Sequence, residues 1–109
     1  MIWDIDYTDE AKRELAKLDG SVKPQIVKTI RKARQNPLPR SEGGYGEPLG
    51  NKGGINLTGC LKLKFKKLGI RVVYKLIRID REMKVIIISA RADNEVYDEA
   101  KNRIDKYNL

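Results

Sequence analysis

The stretch CLKLKFKKLGIRVVYKL, residues 60–76, decides the fold, because it contains two strand patterns on either side of a turn. In a strand, alternate side chains lie on the same face. The first half therefore places apolar residues toward a core and lysines on the opposite face: Leu61, Leu63 and Phe65 against Lys62, Lys64 and Lys66. Gly69 suits the backbone of a hairpin turn. We expect Arg71, just beyond it, to lie near the same end of the sheet.

These lysines belong to a strongly basic chain. Its 109 residues include 23 Lys and Arg against 15 Asp and Glu, which gives a formal net charge of +8. Residues 60–75 contain six Lys or Arg and no acid. Such a concentration of cations attracts polyanions and speeds encounter with them. The pattern favours nucleic acid or an acidic protein as the partner, although alternation alone is equally typical of a solvated strand face.

The residue types that are missing narrow the possible chemistry. The sequence has no histidine, which excludes Ser–His and Cys–His nucleophile systems and histidine metal sites. Its single cysteine, Cys60, allows neither an internal disulfide nor a cysteine-rich zinc site. Any catalysis must use Lys, Arg, Tyr, Asp or Glu. Without a long apolar run or a signal-peptide layout, we expect no membrane contact and a cytoplasmic location.

The N-terminal third predicts a strand followed by a helical hairpin. Residues 2–7 alternate in polarity as a strand does. Residues 9–18 repeat apolar side chains at helical spacing, with Thr8 as the expected N-cap. A second helix is expected to be capped by Ser21 and to end before Pro37. The short turn between the two helices makes them antiparallel neighbours.

The remaining segments complete a small α+β domain over residues 1–109. Residues 36–59 are rich in Gly and Pro and lack phosphate-loop spacing, so we expect a mobile connection into the sheet. The apolar run at 84–90 predicts a central strand buried on both faces, and residues 95–107 predict a last helix. The expected order is β-α-α-β-β-β-α, with the helical hairpin packed on a small, mainly antiparallel sheet and a C-terminal helix.

Two further residues lie where a sheet commonly presents a functional site. Arg91 directly follows the buried strand, and Tyr97 lies at the start of the last helix. Together with K-x-K before the turn and G-x-R-x-V-Y after it, the sequence Arg followed by E-V-Y completes an ordered set of motifs. Nearly the whole chain resembles the RelE branch of the RelE/ParE superfamily, the toxins of bacterial type II toxin–antitoxin pairs.

The resemblance implies an endoribonuclease that cuts messenger RNA in the decoding site of the small ribosomal subunit. It implies no metal or cofactor, and a RelB-like antitoxin as the cognate partner. The ribose 2′-OH attacks the adjacent phosphate, leaving a 2′,3′-cyclic phosphate and a free 5′-OH. By similarity the catalytic residues are Lys62, Lys64, Arg71, Arg91 and Tyr97. We expect three further cations to contact the RNA: Lys66, Lys67 and Lys75.

These residue types suit the reaction. Clustered cations stabilise the charge that develops on the phosphorane, and they lower one another's pKa. We expect Lys64 to act as base, and Lys62 and Arg71 to hold the phosphate. Arg91 is then assigned to the leaving group, while Tyr97 stacks on a base or joins the proton transfer.

Two alternatives stay open at this point. A ParE-like inhibitor of DNA gyrase shares the fold and needs no nuclease chemistry. A non-catalytic RNA-binding protein, or a decayed toxin, is the other alternative. The chain also departs from better-known RelE sequences, with a shorter segment between Ser89 and Tyr97 and a longer loop over residues 37–59.

Overall fold

A computed structural model describes residues 2–109, and its five strands form one mixed sheet in the order β1-β5-β4-β3-β2. The helices and strands run β1 Asp4–Tyr7, α1 Asp9–Ala16, α2 Lys23–Ala33, β2 Glu47–Lys52, β3 Ile55–Phe65, β4 Ile70–Ile77, β5 Glu82–Ser89 and α3 Asp93–Tyr107. β1 is parallel to β5, and every other neighbouring pair is antiparallel. The predicted α+β architecture, with its mainly antiparallel sheet and C-terminal helix, is confirmed.

The predicted hairpin joins β3 and β4. Phe65 pairs with Ile70 across a four-residue turn, and Gly69 has φ +66°, a backbone conformation that favours glycine. The register places Lys64 opposite Arg71, which in turn lies opposite Ser89 of β5. Arg71 therefore occupies the middle of a row that crosses three strands.

The prediction of a mobile connection over residues 36–59 was wrong. This segment contains a 3₁₀ turn at Arg40–Glu42, all of β2 and the first half of β3. Lys52 and Ile55 pair across Gly53 and Gly54, and both glycines have positive φ, as a tight primed hairpin turn requires. The sheet thus has a fifth strand that the expected order lacked.

Helices cover both faces of the sheet, and each face has its own core. α1 and α2 pack on the face that carries Leu61 and Leu63. α3 packs on the other face, where Val96, Tyr97 and Ala100 contact a second set of buried side chains. The face expected to be solvated is therefore covered at Lys62, whose side chain is buried.

The ends of the hairpin helices follow local chemistry. The Thr8 hydroxyl accepts a hydrogen bond from the Ala11 amide (3.1 Å), so the predicted cap of α1 is confirmed. The prediction for Ser21 was wrong: its hydroxyl donates to the Asp19 carboxylate (3.0 Å), and α2 begins two residues later. Pro24 lies in the first turn of α2, where its missing N–H is harmless.

At a β-bulge in the β4–β5 pair, a backbone carbonyl of β5 binds a side chain of α3. Val73 pairs with Ile87 and Tyr74 with Val85, so Ile86 has no partner residue on β4. Its carbonyl accepts hydrogen bonds from the Thr8 hydroxyl (3.1 Å) and the Arg103 guanidinium (2.9 Å). Within residues 2–109, no helix is both long enough and apolar enough to cross a membrane.

Candidate functional site

A basic cleft of about 570 Å³ lies between α2, the segment that leads into β2 and the end of β3. Five cationic side chains line it, together with one carboxylate and an exposed aromatic ring, Tyr45. The cations are Lys32, Arg40, Lys62, Lys64 and Lys66, and the carboxylate is Glu47. Such a concave, positively charged surface complements a phosphate backbone.

Lys62 is the cation at the inner end of this cleft. Only 8% of the residue is exposed, and its Nζ donates a hydrogen bond to the Tyr97 hydroxyl (3.0 Å). Glu47 Oε1 lies 4.0 Å from the same nitrogen. Because Tyr97 is itself buried between α3 and the sheet, the ammonium is held at a fixed position.

The surroundings of Lys62 keep it protonated. Burial alone lowers the pKa of this lysine, but the hydrogen bond and electrostatic interaction with Tyr97, followed by the charges of Glu47 and Asp93, more than offset that effect. The net pKa is raised, which is the opposite of the expectation that neighbouring cations lower it. Lys62 is therefore suited to stabilising negative charge and unsuited to accepting a proton at neutral pH.

Arg71 is linked to Arg91 by its guanidinium, which binds the backbone of Arg91 and not its side chain. The Arg71 NH1 group donates to the carbonyl of Arg91 (2.7 Å), and its Nε forms an ion pair with Asp93. The Arg91 amide is bound to the Ser89 hydroxyl (3.1 Å). Arg71 thus joins β4 to the segment that begins α3, while the Arg91 side chain stays exposed.

The other predicted residues divide between the cleft and the rest of the surface. Lys64 is exposed, lines the cleft and lies opposite Arg71 in the ladder. Lys66 also lines the cleft, whereas Lys67 is exposed in the β3–β4 turn. Lys75 lies at the far end of the β3–β4 ladder, where its ammonium is hydrogen-bonded to the carbonyl of Leu109.

Sequence reasoning missed several residues of this region. Glu47, Lys32 and Arg40 were overlooked, because the cleft forms only when α2 and β2 approach β3. Asp93 was overlooked although it lies two residues after Arg91 and begins α3, where a carboxylate is favourable. The local signal for Asp93 was an acid at the start of the predicted last helix, two residues from Arg91.

Metal and thiol chemistry have little support in the described chain. Residues 2–109 contain no cluster of three or more His, Cys, Asp or Glu side chains able to hold a metal ion. Burial raises the pKa of the Cys60 thiol to about 11, so this cysteine is protonated and serves packing. The chemistry available in the cleft is that of ammonium, guanidinium, carboxylate and phenol groups.

A helical hairpin on a mixed sheet, with cations gathered at one end of β3, defines a protein of the RelE/ParE fold. The mRNA interferase toxin RelE of Escherichia coli K12 is 30% identical over 106 residues, covering 95% of this chain and 99% of the relative. The chain belongs to the RelE toxin family. No family model matches it.

Solved structures agree with this assignment. A free double arginine-to-alanine mutant of Escherichia coli RelE superposes with a TM-score of 0.75 at 28% identity, covering 95% of this chain and 99% of that one. The same type of mutant in complex with a peptide of the antitoxin RelB superposes with a TM-score of 0.69 at 27% identity. That match covers 92% of this chain and 95% of the other.

Proposed function

We propose that this protein is the toxin of a type II toxin–antitoxin pair and acts as an mRNA interferase, cutting messenger RNA at the ribosome. Membership of the RelE family supports the toxin and endoribonuclease assignment. The observation that carries the site is Lys62, a buried ammonium fixed by Tyr97 at the inner end of a cationic cleft. Such a group can meet a phosphate without first being reoriented.

The proposed reaction uses the groups that line this end of the sheet. The 2′-oxygen attacks the neighbouring phosphorus as its proton is removed, and the bond from phosphorus to the 5′-oxygen breaks as that oxygen takes up a proton. Lys62 stabilises the charge on the phosphorane. Lys64 and the Glu47 carboxylate both line the cleft, and the carboxylate can accept the 2′-OH proton as it stands, whereas Lys64 can do so only as the neutral amine.

The roles of the remaining three residues follow from their contacts. Arg71 is bound to Asp93 and to the carbonyl of Arg91, so in the free protein it positions the segment that carries Arg91. Exposed Arg91 serves the leaving 5′-oxygen. Tyr97 is 7% exposed and bound to Lys62, so it orients that ammonium and does not stack on a base.

We propose a RelB-type antitoxin as the cognate partner, since a RelE structure that superposes on this chain is bound to a RelB peptide. An acidic or amphipathic antitoxin segment complements the net charge of +8. Messenger RNA and the ribosome are the proposed substrate and site of action, which places the protein in the cytoplasm. The ParE-like alternative is set aside, because the matched relatives are mRNA interferases.

Primer extension on transcripts in a reconstituted translation reaction tests this proposal. We expect the wild-type protein to introduce cuts within translated codons, and Lys64→Ala and Arg71→Ala to reduce them strongly without unfolding the protein. Lys17→Ala is the matched control, because Lys17 is an exposed lysine at the C-terminal end of α1, outside the cleft. Leaving out the ribosomes shows whether cleavage depends on them.

Two results would contradict the proposal. If transcripts stay intact while DNA gyrase accumulates broken DNA, the nuclease assignment is wrong. The ParE-like function, inhibition of DNA gyrase, is then the better assignment. If Lys17→Ala abolishes cleavage as fully as Lys64→Ala does, the activity depends on net charge and not on the cleft.

A further inference from the structure

Tyr45 is an exposed aromatic residue that the proposed reaction does not use. Its 46% exposure is unusual for a large side chain here, and it lies in the segment that was expected to be mobile. The exposed part of this ring lies in the wall of the cationic cleft, where a ligand can reach it. The surrounding structure indicates that this position is built for contact.

Tight packing fixes the backbone on both sides of this tyrosine. A Cβ atom on Gly44 would lie 2.0 Å from the carbonyl oxygen of Leu38. A Cβ atom on Gly46 would lie 2.3 Å from the hydroxyl oxygen of Tyr74. Only glycine fits at either site, so the chain approaches its neighbours closely just before and just after Tyr45.

Hydrogen bonds hold the same segment in place. The Tyr45 amide donates to the carbonyl of Asn36 (3.0 Å), and the Gly46 amide donates to the carbonyl of Leu38 (3.0 Å). Glu42 accepts two hydrogen bonds from Arg78 at the end of β4 (2.8 and 3.2 Å). The loop that carries Tyr45 is therefore held in one conformation, which lowers the entropic cost of binding a ligand.

The charge around Tyr45 defines the kind of ligand. The Lys32 ammonium lies 5.6 Å from the centroid of the Tyr45 ring, and Arg40 lines the same cleft. α2 belongs to a second acid-free stretch, residues 20–41, whose cations are Lys23, Lys28, Arg31, Lys32, Arg34 and Arg40. Aromatic rings interleaved with cations along a groove are the usual platform for single-stranded nucleic acid.

We propose that Tyr45 and Lys32 form a base-stacking subsite for one nucleotide of single-stranded RNA, adjoining the reaction site at Lys62. The base stacks on the ring face that Lys32 leaves open, and Lys32 and Arg40 contact the flanking phosphates. Because Tyr45 and Lys62 line one cleft, the subsite aligns the strand with respect to the phosphate to be cut. This inference rests on the proposed function, since it names a contact to the same RNA.

The test is equilibrium binding of a fluorescent 2′-O-methyl oligoribonucleotide, which has the shape of the substrate but no attacking 2′-OH. We expect Tyr45→Ala to weaken binding about tenfold, the scale of one lost base–aromatic stack. Tyr45→Phe keeps the ring and should bind within about twofold of wild type. Ile79→Ala is the matched control, because Ile79 is 92% exposed and lies outside the cleft.

An abasic oligonucleotide of the same length and charge separates stacking from electrostatics. We expect Tyr45→Ala to leave its binding unchanged. Equal weakening of the normal and abasic strands, or of neither, would overturn the subsite. A loss that is as large for a labelled oligoglutamate peptide assigns the surface to an acidic protein instead.

The two proposals fail in different ways. If the wild-type protein cuts translated messages and binds the oligonucleotide but Tyr45→Ala changes nothing, only the stacking subsite is wrong. If the wild-type protein neither binds RNA nor cuts messages, the proposed function is wrong and the subsite is lost with it.

Discussion

Lys62 and Arg103 are two cations on the α3 side of the sheet, and each is 8% exposed. Arg103 makes two hydrogen bonds to Glu14 (2.7 and 2.9 Å), one to Glu99 (2.8 Å) and one to the carbonyl of Ile86 (2.9 Å). Lys62 makes one hydrogen bond, to the neutral hydroxyl of Tyr97, and its carboxylate neighbour Glu47 is 4.0 Å away. The two cations are therefore equally buried, but Arg103 has many more hydrogen-bond partners than Lys62.

The difference separates a structural cation from a functional one. A buried charge is tolerated when its donors are satisfied, as those of Arg103 are by α1, β5 and α3. A buried ammonium with unfilled hydrogen-bonding capacity, at the end of an open cleft, can bind an incoming anion. Arg103 holds the helix that carries Tyr97, and Tyr97 holds Lys62.

The largest expected effect is on stability, from Arg103→Ala. Removing the guanidinium leaves Glu14 and Glu99 without their shared partner and costs about 3–5 kcal/mol, measured by urea unfolding. Lys101→Ala on the same helix is the control, since Lys101 pairs with Asp105 (3.0 Å) on the exposed side and should cost less than about 0.5 kcal/mol. If both variants lose a similar free energy of unfolding, the Arg103 network stabilises the fold no more than an exposed ion pair does.

The next effect is on activity, from Lys62→Met. Methionine fills a similar volume without charge, so the free energy of unfolding should change by less than about 1 kcal/mol. Cleavage of translated messages should fall about 10²–10³-fold, the scale of one lost charge-stabilising donor. Lys17→Met makes the same exchange at the exposed C-terminal end of α1 and should leave cleavage unchanged. If Lys62→Met is destabilised but still cuts messages, Lys62 stabilises the fold and its assigned role in the reaction is wrong.

Local patterns predicted much of the fold. Alternation over residues 61–65 with Gly69 predicts the β3–β4 hairpin, and Thr8 predicts the start of α1. β2 was missed because Gly and Pro interrupt any polar–apolar alternation, although Gly53-Gly54 is a hairpin signal in its own right. Leu49 and Leu57, which anchor this region, join a core whose other members, such as Val96 and Ala100, lie far along the chain.

The candidate site was predictable as a set of residue types and not as a set of contacts. Strand periodicity placed Lys62 on one face, but its bond to Tyr97, 35 residues away, depends on α3 covering that face. The ion pair of Arg71 with Asp93 depends likewise on how β4 meets the start of α3. Neither packing choice is encoded within a short window of sequence.

The smallest effect comes from Glu10→Gln, which contrasts a pair whose cation is exposed with the buried pair between the same two helices. The Tyr107 hydroxyl and the Lys106 ammonium (2.9 Å) lower the pKa of Glu10 from 4.5 to about 2. A lowered carboxyl pKa stabilises the fold where the group is ionised, so the contribution is full above pH 4.5 and is lost as the pH falls toward 2.

We therefore expect Glu10→Gln to lower the thermal midpoint at pH 7 by no more than about 4 °C, because the Lys106 side chain is 61% exposed and water screens the pair. The difference from wild type should shrink between pH 4.5 and 2, whereas the loss in Arg103→Ala should persist, since it also removes the bond to the Ile86 carbonyl. A loss at pH 7 as large as that of Arg103→Ala would show that burial does not distinguish these two α1–α3 contacts.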